Sequence, residues 1–132
     1  MHKKNYFPNL DSIHTLIFDF DGVFTDNNVY VDQNGTESVR CSRADGLGLD
    51  LLRKYIFKKK WDLEYFILSK EKNKVVFERA KKLNTKCHYG IDDKLKFLKD
   101  YLRMRFPSST SMEEGVIYLG NDLNDLKIMK FV

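Results

Sequence analysis

The stretch LIFDFDGVFTDNN, residues 16–28, decides how the chain reads. An apolar run, Leu16-Ile17-Phe18, has the composition of a strand buried on both faces. It ends in Asp19 and Asp21, two positions apart, with Gly22 behind them and a further carboxylate at Asp26. Taking a carboxylate out of water costs several kcal/mol unless a partner compensates. A hydrophobic strand that ends in acid therefore asks for a cation at its edge.

Outward from that stretch the pattern alternates strand and helix. Ile13–Phe18 is expected as the first strand. Asn28–Asp32 and Glu37–Cys41 flank Gln33-Asn34-Gly35, and Asn-Gly between such runs predicts a hairpin. Asp45 is placed to cap a helix through about Lys58 that buries Leu47, Leu51 and Leu52. Leu63–Leu68 reads as a strand ending at Ser69. A helix from about Lys72 to Leu83 sets Val76, Ala80 and Leu83 on one face. A short strand near Lys86–Tyr89 and a helix over Asp93–Arg105, with Leu95, Leu98 and Leu102 inward, come next. Pro107–Ser111 is a surface loop. Val116–Leu119 is a buried strand that breaks at Gly120 into Asn121-Asp122-Leu123-Asn124-Asp125, before Leu126, Ile128 and Met129 begin a last helix.

Strands separated by helices of about a dozen residues predict an α/β fold, a parallel sheet with helices on both faces. Ligands in such folds bind outside the carboxyl ends of the strands, and the polar residues fall there: Asp19 and Asp21 after one strand, Ser69 after another, Asn121 and Asp122 after a third. At 132 residues the chain is expected to form a single domain over 1–132. Apolar residues make up 42% and charged residues 32%, an ordinary globular balance.

Several function classes are set aside. No apolar run approaches the roughly 18–20 residues of a membrane span. The basic first residues, Met1 to Pro8, lack the apolar stretch of a secretory leader, so a cytoplasmic location is the expectation. Cys41 and Cys87 are far apart and read as reduced thiols. His2, His14 and His88 show no metal-ligand spacing, and His14, beside an apolar strand, reads as structural. The net charge of +4 comes from lysines spread over several helices, among them Lys58-Lys59-Lys60 and Lys81-Lys82. Without a nucleic-acid-binding signature these read as a solvated surface, and a mildly basic protein suits a small anionic substrate.

Two carboxylates at one sheet edge raise each other's pKa unless a metal joins them, and hard oxygen ligands select Mg²⁺ over zinc. An EF-hand reading fails, because counting from Asp19 puts Phe24 at the turn glycine and Tyr30 at the bidentate glutamate. Asp26 and Asn27 read alternatively as an acidic turn capping a helix. An Asp beside Mg²⁺ can attack phosphorus, and a second Asp two residues on can protonate the leaving oxygen. Ser69 is placed to hydrogen-bond a phosphoryl oxygen, and Lys94 to neutralise developing charge.

Asp19-Phe20-Asp21-Gly22-Val23-Phe24-Thr25-Asp26 resembles the first motif of the haloacid dehalogenase-like (HAD) phosphatases, in particular the capless branch of 3-deoxy-octulosonate 8-phosphate and nonulosonate (sialic acid) 9-phosphate phosphatases. Ser69 resembles the second motif, Lys94 the third, and Gly120–Asp125 the fourth. The resemblance implies a three-layer Rossmann-like fold with a β-hairpin after the first strand in place of a cap domain. It implies Asp19 as nucleophile and Mg²⁺ ligand, Asp21 as general acid–base with its backbone carbonyl on the metal, Asn121 as the third ligand, and Asp122 and Asp125 as supporting groups. Arg43 and Lys70 are expected at the substrate. It also implies a homotetramer built through the hairpin, and a phosphorylated sugar acid as substrate.

Within the branch, the runs Leu68–Val76, Gly90–Lys94 and Gly120–Asp122 are more similar to the nonulosonate side. The octulosonate 8-phosphate enzymes remain the alternative, as does a non-catalytic oligomerisation module like the domains associated with CMP-sialate synthetases (acylneuraminate cytidylyltransferases). Two features depart from the family pattern. Asn121 stands where a carboxylate ligand is usual, and relatives continue beyond the position of Val132 through a further strand and tail, so the C-terminus is expected to be short.

Overall fold

The computed structural model describes residues 8–132. The reading of the first residues, His2 included, falls outside them. The strands are β1 (Thr15–Phe18), β2 (Thr25–Val31), β3 (Glu37–Cys41), β4 (Glu64–Leu68), β5 (Lys86–His88) and β6 (Val116–Leu119). The helices are α1 (Ala44–Lys59), α2 (Val75–Lys82), α3 (Lys94–Arg105) and α4 (Leu126–Met129). Among the described residues no helix is long and apolar enough to cross a membrane.

Four strands form one parallel sheet in the order β5-β4-β1-β6. The side-chain period of two divides its core. Ile17, Phe66, Leu68 and Val116 pack on one face against Leu98 and Leu102 of α3 and Ile128 of α4. Phe20 and Ile67 pack on the other against Leu49 of α1 and Val76 and Ala80 of α2. The result is the expected three-layer Rossmann-like arrangement. In place of a cap domain, β2 and β3 form an antiparallel hairpin outside the sheet. Its turn is held by Asp32, whose Oδ1 accepts from the backbone N–H of Asn34 and Thr36 at 2.8 and 3.0 Å.

α2 buries Val76, Ala80 and Leu83 as its spacing predicts, and α3 turns Leu98 and Leu102 fully inward. Asp93 caps α3, accepting from Lys96 N at 2.9 Å. His14 is structural: its Nδ1 pairs with Thr15 Oγ1 at 2.8 Å and its ring packs on Phe106.

Three local expectations are corrected. α1 starts at Ala44, with Arg43 at the N-cap position and Asp45 inside the first turn rather than capping it. The helix also turns a different stripe inward: of the three leucines expected there, Leu52 packs partly buried beside the buried Leu49, whereas Leu47 and Leu51 are 65% and 57% exposed. Both stripes have helical spacing, and Arg53 decides between them. It shares a face with Leu49, and its guanidinium donates to Tyr65 Oη and to the Leu83 carbonyl, each at 3.0 Å. Those bonds exist only with the Leu49 face against the sheet. Finally, no helix follows Asp26. It lies in β2, paired with Arg40 at 2.8 Å and accepting from Asn28 N at 3.1 Å.

Candidate active site

The carboxyl ends of β1, β4 and β6 converge on one cleft of about 400 Å³. Asp19 and Asp21 project into it, while Phe20 between them is fully buried in the core and anchors the segment. The chain then turns sharply. Val23 and Phe24 donate to the Phe20 carbonyl, and the buried Thr25 hydroxyl accepts from the N–H of Gly22 and Asn27, both at 3.1 Å. Gly22 has φ +77°, and a Cβ there would lie 1.8 Å from Asn121 Nδ2. Only glycine lets the loop after β1 meet the loop after β6 this closely.

Lys94, at the start of α3, is buried beneath this edge. Its Nζ donates to Asp19 Oδ1 at 2.8 Å, Asp125 Oδ1 at 2.9 Å and Tyr118 Oη at 3.2 Å. Asp125 is completely buried and also accepts from the Tyr118 hydroxyl at 2.6 Å and from the backbone N–H of Asn121 and Asp122. The two carboxylates on this lysine differ in character. Burial drives the Asp19 carboxyl above the ordinary carboxylate range, although Lys94 pulls the other way. Burial acts on Asp125 in the same sense, but hydrogen bonds from Tyr118 and Lys94 outweigh it and hold the carboxyl low. Burial, with the charge of Glu71 added, also raises Asp21, which favours the protonated form that a general acid needs.

Ser69 is buried at the end of β4. Its Oγ accepts from Glu71 N at 3.1 Å, which leaves its own proton free for the cleft. Lys70, Asn121 and Asp122 line the same cleft, so the structure brings these predicted residues together. Asp125 lies beneath it. Arg43 does not line the cleft; it sits at the N-terminus of α1. Glu71, Lys72, Asp92, Asn27 and Asn124 line it as well, although sequence pattern assigns none of them an individual role at the site. A larger groove of about 560 Å³, along Leu63, Tyr65, Lys81 and Thr85, opens at the other end of β4. Its one carboxylate, Glu64, already accepts from Tyr101 Oη at 2.6 Å, and besides it the groove presents only Lys81 and Lys86 as charged groups, without a cluster of carboxylates.

The cleft is acidic although the chain is basic. Asp19, Asp21, Glu71, Asp92 and Asp122 line it with Lys70 and Lys72, and Lys94 lies beneath Asp19. A phosphoryl group entering such a cleft needs a cation to offset the repulsion. Among the described residues no three His, Cys, Asp or Glu side chains gather to hold one. The donors expected from the sequence are of a different kind: an Asp19 carboxylate oxygen, the Asp21 backbone carbonyl and the exposed Asn121 carboxamide. All three are hard oxygens, and that set fits Mg²⁺.

No family model matches the chain. It is 31% identical over 123 residues to the 3-deoxy-D-manno-octulosonate 8-phosphate phosphatase KdsC of Escherichia coli, a match covering 92% of this chain and 60% of that protein. The chain thus spans about 60% of the length of the curated relatives it matches. Among solved structures it is similar to a Streptomyces avermitilis protein assigned to the HAD family hydrolases, with TM-score 0.79 and 39% identity over 95% of this chain and 66% of that one. It is also similar to the 3-deoxy-D-manno-octulosonate 8-phosphate phosphatase of Moraxella catarrhalis, solved with magnesium ion, phosphate ion and KDO. That match has TM-score 0.75 and 27% identity over 93% of this chain and 66% of that one. By sequence similarity and by the match of its fold, the chain belongs to the haloacid dehalogenase-like (HAD) superfamily, and its homologues include KdsC-like phosphatases.

Proposed function

We propose that the chain is a Mg²⁺-dependent phosphomonoesterase acting on a phosphorylated 2-keto-3-deoxy sugar acid through a phosphoaspartyl intermediate. One observation carries the reading: Lys94 holds one oxygen of a buried, raised-pKa Asp19 at 2.8 Å, at the floor of a cleft that Asp21 and Ser69 also enter. Asp19, Asp21 and Asn121 would hold Mg²⁺, which would offset the charge that otherwise repels a phosphoryl group from this cleft.

The chain's own groups supply the rest. The Asp19 oxygen that Lys94 leaves free attacks phosphorus, and the bond from phosphorus to the ester oxygen breaks as Asp21 gives that oxygen its proton. Water then attacks the phosphoaspartyl group, Asp21 takes the water's proton, and phosphate leaves with Asp19 restored. The Ser69 hydroxyl donates to a phosphoryl oxygen throughout, and Lys94 carries the positive charge against which negative charge develops.

For the sugar, the Ser69-Lys70-Glu71-Lys72 and Gly120-Asn121-Asp122 runs favour a nonulosonate 9-phosphate. The names of the relatives favour the second reading, an octulosonate 8-phosphate. The hairpin, with Val29, Tyr30 and Val31 exposed, is read as the contact of a homotetramer, which sedimentation tests directly.

The deciding experiment is phosphate release from nonulosonate 9-phosphate, octulosonate 8-phosphate and p-nitrophenyl phosphate, with Mg²⁺ and with chelator. Release that needs Mg²⁺ is expected, and the preferred sugar names the substrate. A folded protein that releases phosphate from none of them points to a non-catalytic oligomerisation module.

A further inference from the structure

We infer that the Tyr118 hydroxyl is a positioning group of the active site, fixing the Lys94 ammonium so that its charge stays on Asp19; the inference rests on the phosphatase reading above. A lysine ammonium has three N–H donors and no acceptor. Here the three oxygens within reach are Asp19 Oδ1 at 2.8 Å, Asp125 Oδ1 at 2.9 Å and Tyr118 Oη at 3.2 Å, one for each proton. The ammonium is therefore held at three points.

The same hydroxyl spends its own proton on Asp125 Oδ1 at 2.6 Å. Two anions compete for one cation at this site, and Tyr118 weakens the competitor. With the phenol and the N–H groups of Asn121 and Asp122 on Asp125, that carboxylate is satisfied without drawing Lys94 away from Asp19. The backbone makes room for the arrangement. A Cβ on Gly120 would lie 2.5 Å from Asp125 Oδ2 and 2.7 Å from Tyr118 Cε1, so the bond between phenol and carboxylate closes over a residue with no side chain. Tyr118 does not line the cleft and touches no reacting atom; it acts through Lys94 and Asp125.

The test is a kinetic cycle on the full chain with p-nitrophenyl phosphate and Mg²⁺: wild type, Tyr118→Phe, Lys94→Met and the double variant. Tyr118→Phe keeps the ring, which lies 6.0 Å from Lys94 Nζ, and loses only the hydroxyl. It is expected to lower kcat by about tenfold or more with KM changed by less than about twofold. In the Lys94→Met background the same change is expected to cost nothing further, since the group it positions is gone. A merely structural hydroxyl would lower kcat by the same factor in both backgrounds, or act on KM and Tm together, and either result overturns the inference. So does a Tyr118→Phe variant with wild-type kcat. Tyr118→Met is the second variant; if neither it nor Tyr118→Phe folds, the hydroxyl is structural and the inference falls. A wild-type protein with no Mg²⁺-dependent turnover overturns the phosphatase reading and this inference together, whereas turnover that ignores Tyr118 overturns this one alone.

Discussion

The two ends of the parallel sheet use the same kinds of residue to opposite effect. At the amino ends of the strands, cations and donors are spent on backbone carbonyls, a hydroxyl and one carboxylate. The Trp61 indole donates to the Ile13 carbonyl at 2.8 Å. Arg105 donates to the His14 carbonyl, to Thr15 Oγ1 at 3.1 Å, and to the carbonyl and carboxylate of Asp62 at 3.1 and 3.0 Å. These bonds tie the start of β1 to the loop before β4 and to the end of α3. At the carboxyl ends, carboxylates crowd together, one lysine serves two of them, and a serine proton and an amide group face the cleft unused. Each contact at the first end lowers the energy of the fold. At the second end burial of ionised Asp19 raises it, which is the mark of a site arranged for chemistry rather than for stability.

The sharpest way to break this contrast is Asp19→Asn. Loss of the nucleophile is expected to lower kcat by at least about 10⁴-fold. Stability should move the other way. Because the folded-state pKa of Asp19 is raised, its favourable contribution is complete below the ordinary carboxylate value of about 3.9 and is lost as pH rises through the raised value. At pH 7 the ionised group therefore costs stability, and the neutral amide is expected to raise Tm by about 2–5 °C in thermal unfolding without metal. A lower Tm would place Asp19 with the ties at the other end.

Arg105→Ala tests the opposite end. Losing its bonds to His14, Thr15 and Asp62 is expected to cost about 2–3 kcal/mol in urea unfolding, while kcat/KM at permissive temperature stays within about threefold of wild type. A large kinetic effect with unchanged stability would erase the distinction.

The smallest expected effect lies at Asn121. Asn121→Asp restores a negative donor and is expected to lower the Mg²⁺ concentration for half-maximal activity by about threefold to tenfold. An unchanged or higher requirement in a Mg²⁺ titration would remove Asn121 from the ligands.

The elements that could be read from the sequence are those whose signals are local. The apolar run of β1, the Val76–Ala80–Leu83 stripe of α2 and the inward Leu98 and Leu102 of α3 depend on neighbours within a turn or two, and each is found where periodicity puts it. The convergence of Asp19, Asp21, Ser69 and Lys94 was legible for a related reason: in a parallel sheet, residues just past strand ends share one edge whatever their separation in sequence. Their chemical roles were not legible from spacing and came from the resemblance to HAD phosphatases. The inward face of α1 was misread because two stripes of equal spacing compete, and a long-range arginine decides. Nor did local pattern single out Tyr118, since in a buried strand it looks like any other half-apolar residue. Its meaning depends on β6 pairing beside β1, which brings Lys94 within reach across 24 residues of chain.

The close approach at Gly22 has a consequence in evolutionary terms. The Asn121 carboxamide rests against the Gly22 backbone with no space for a Cβ between them, so position 22 is held to glycine for as long as Asn121 keeps this place. Asparagine and aspartate have the same shape, and their codons differ by one base. Through that single base the charge of the prospective metal site can switch on or off with almost no change of shape, while the glycine opposite it has no such freedom.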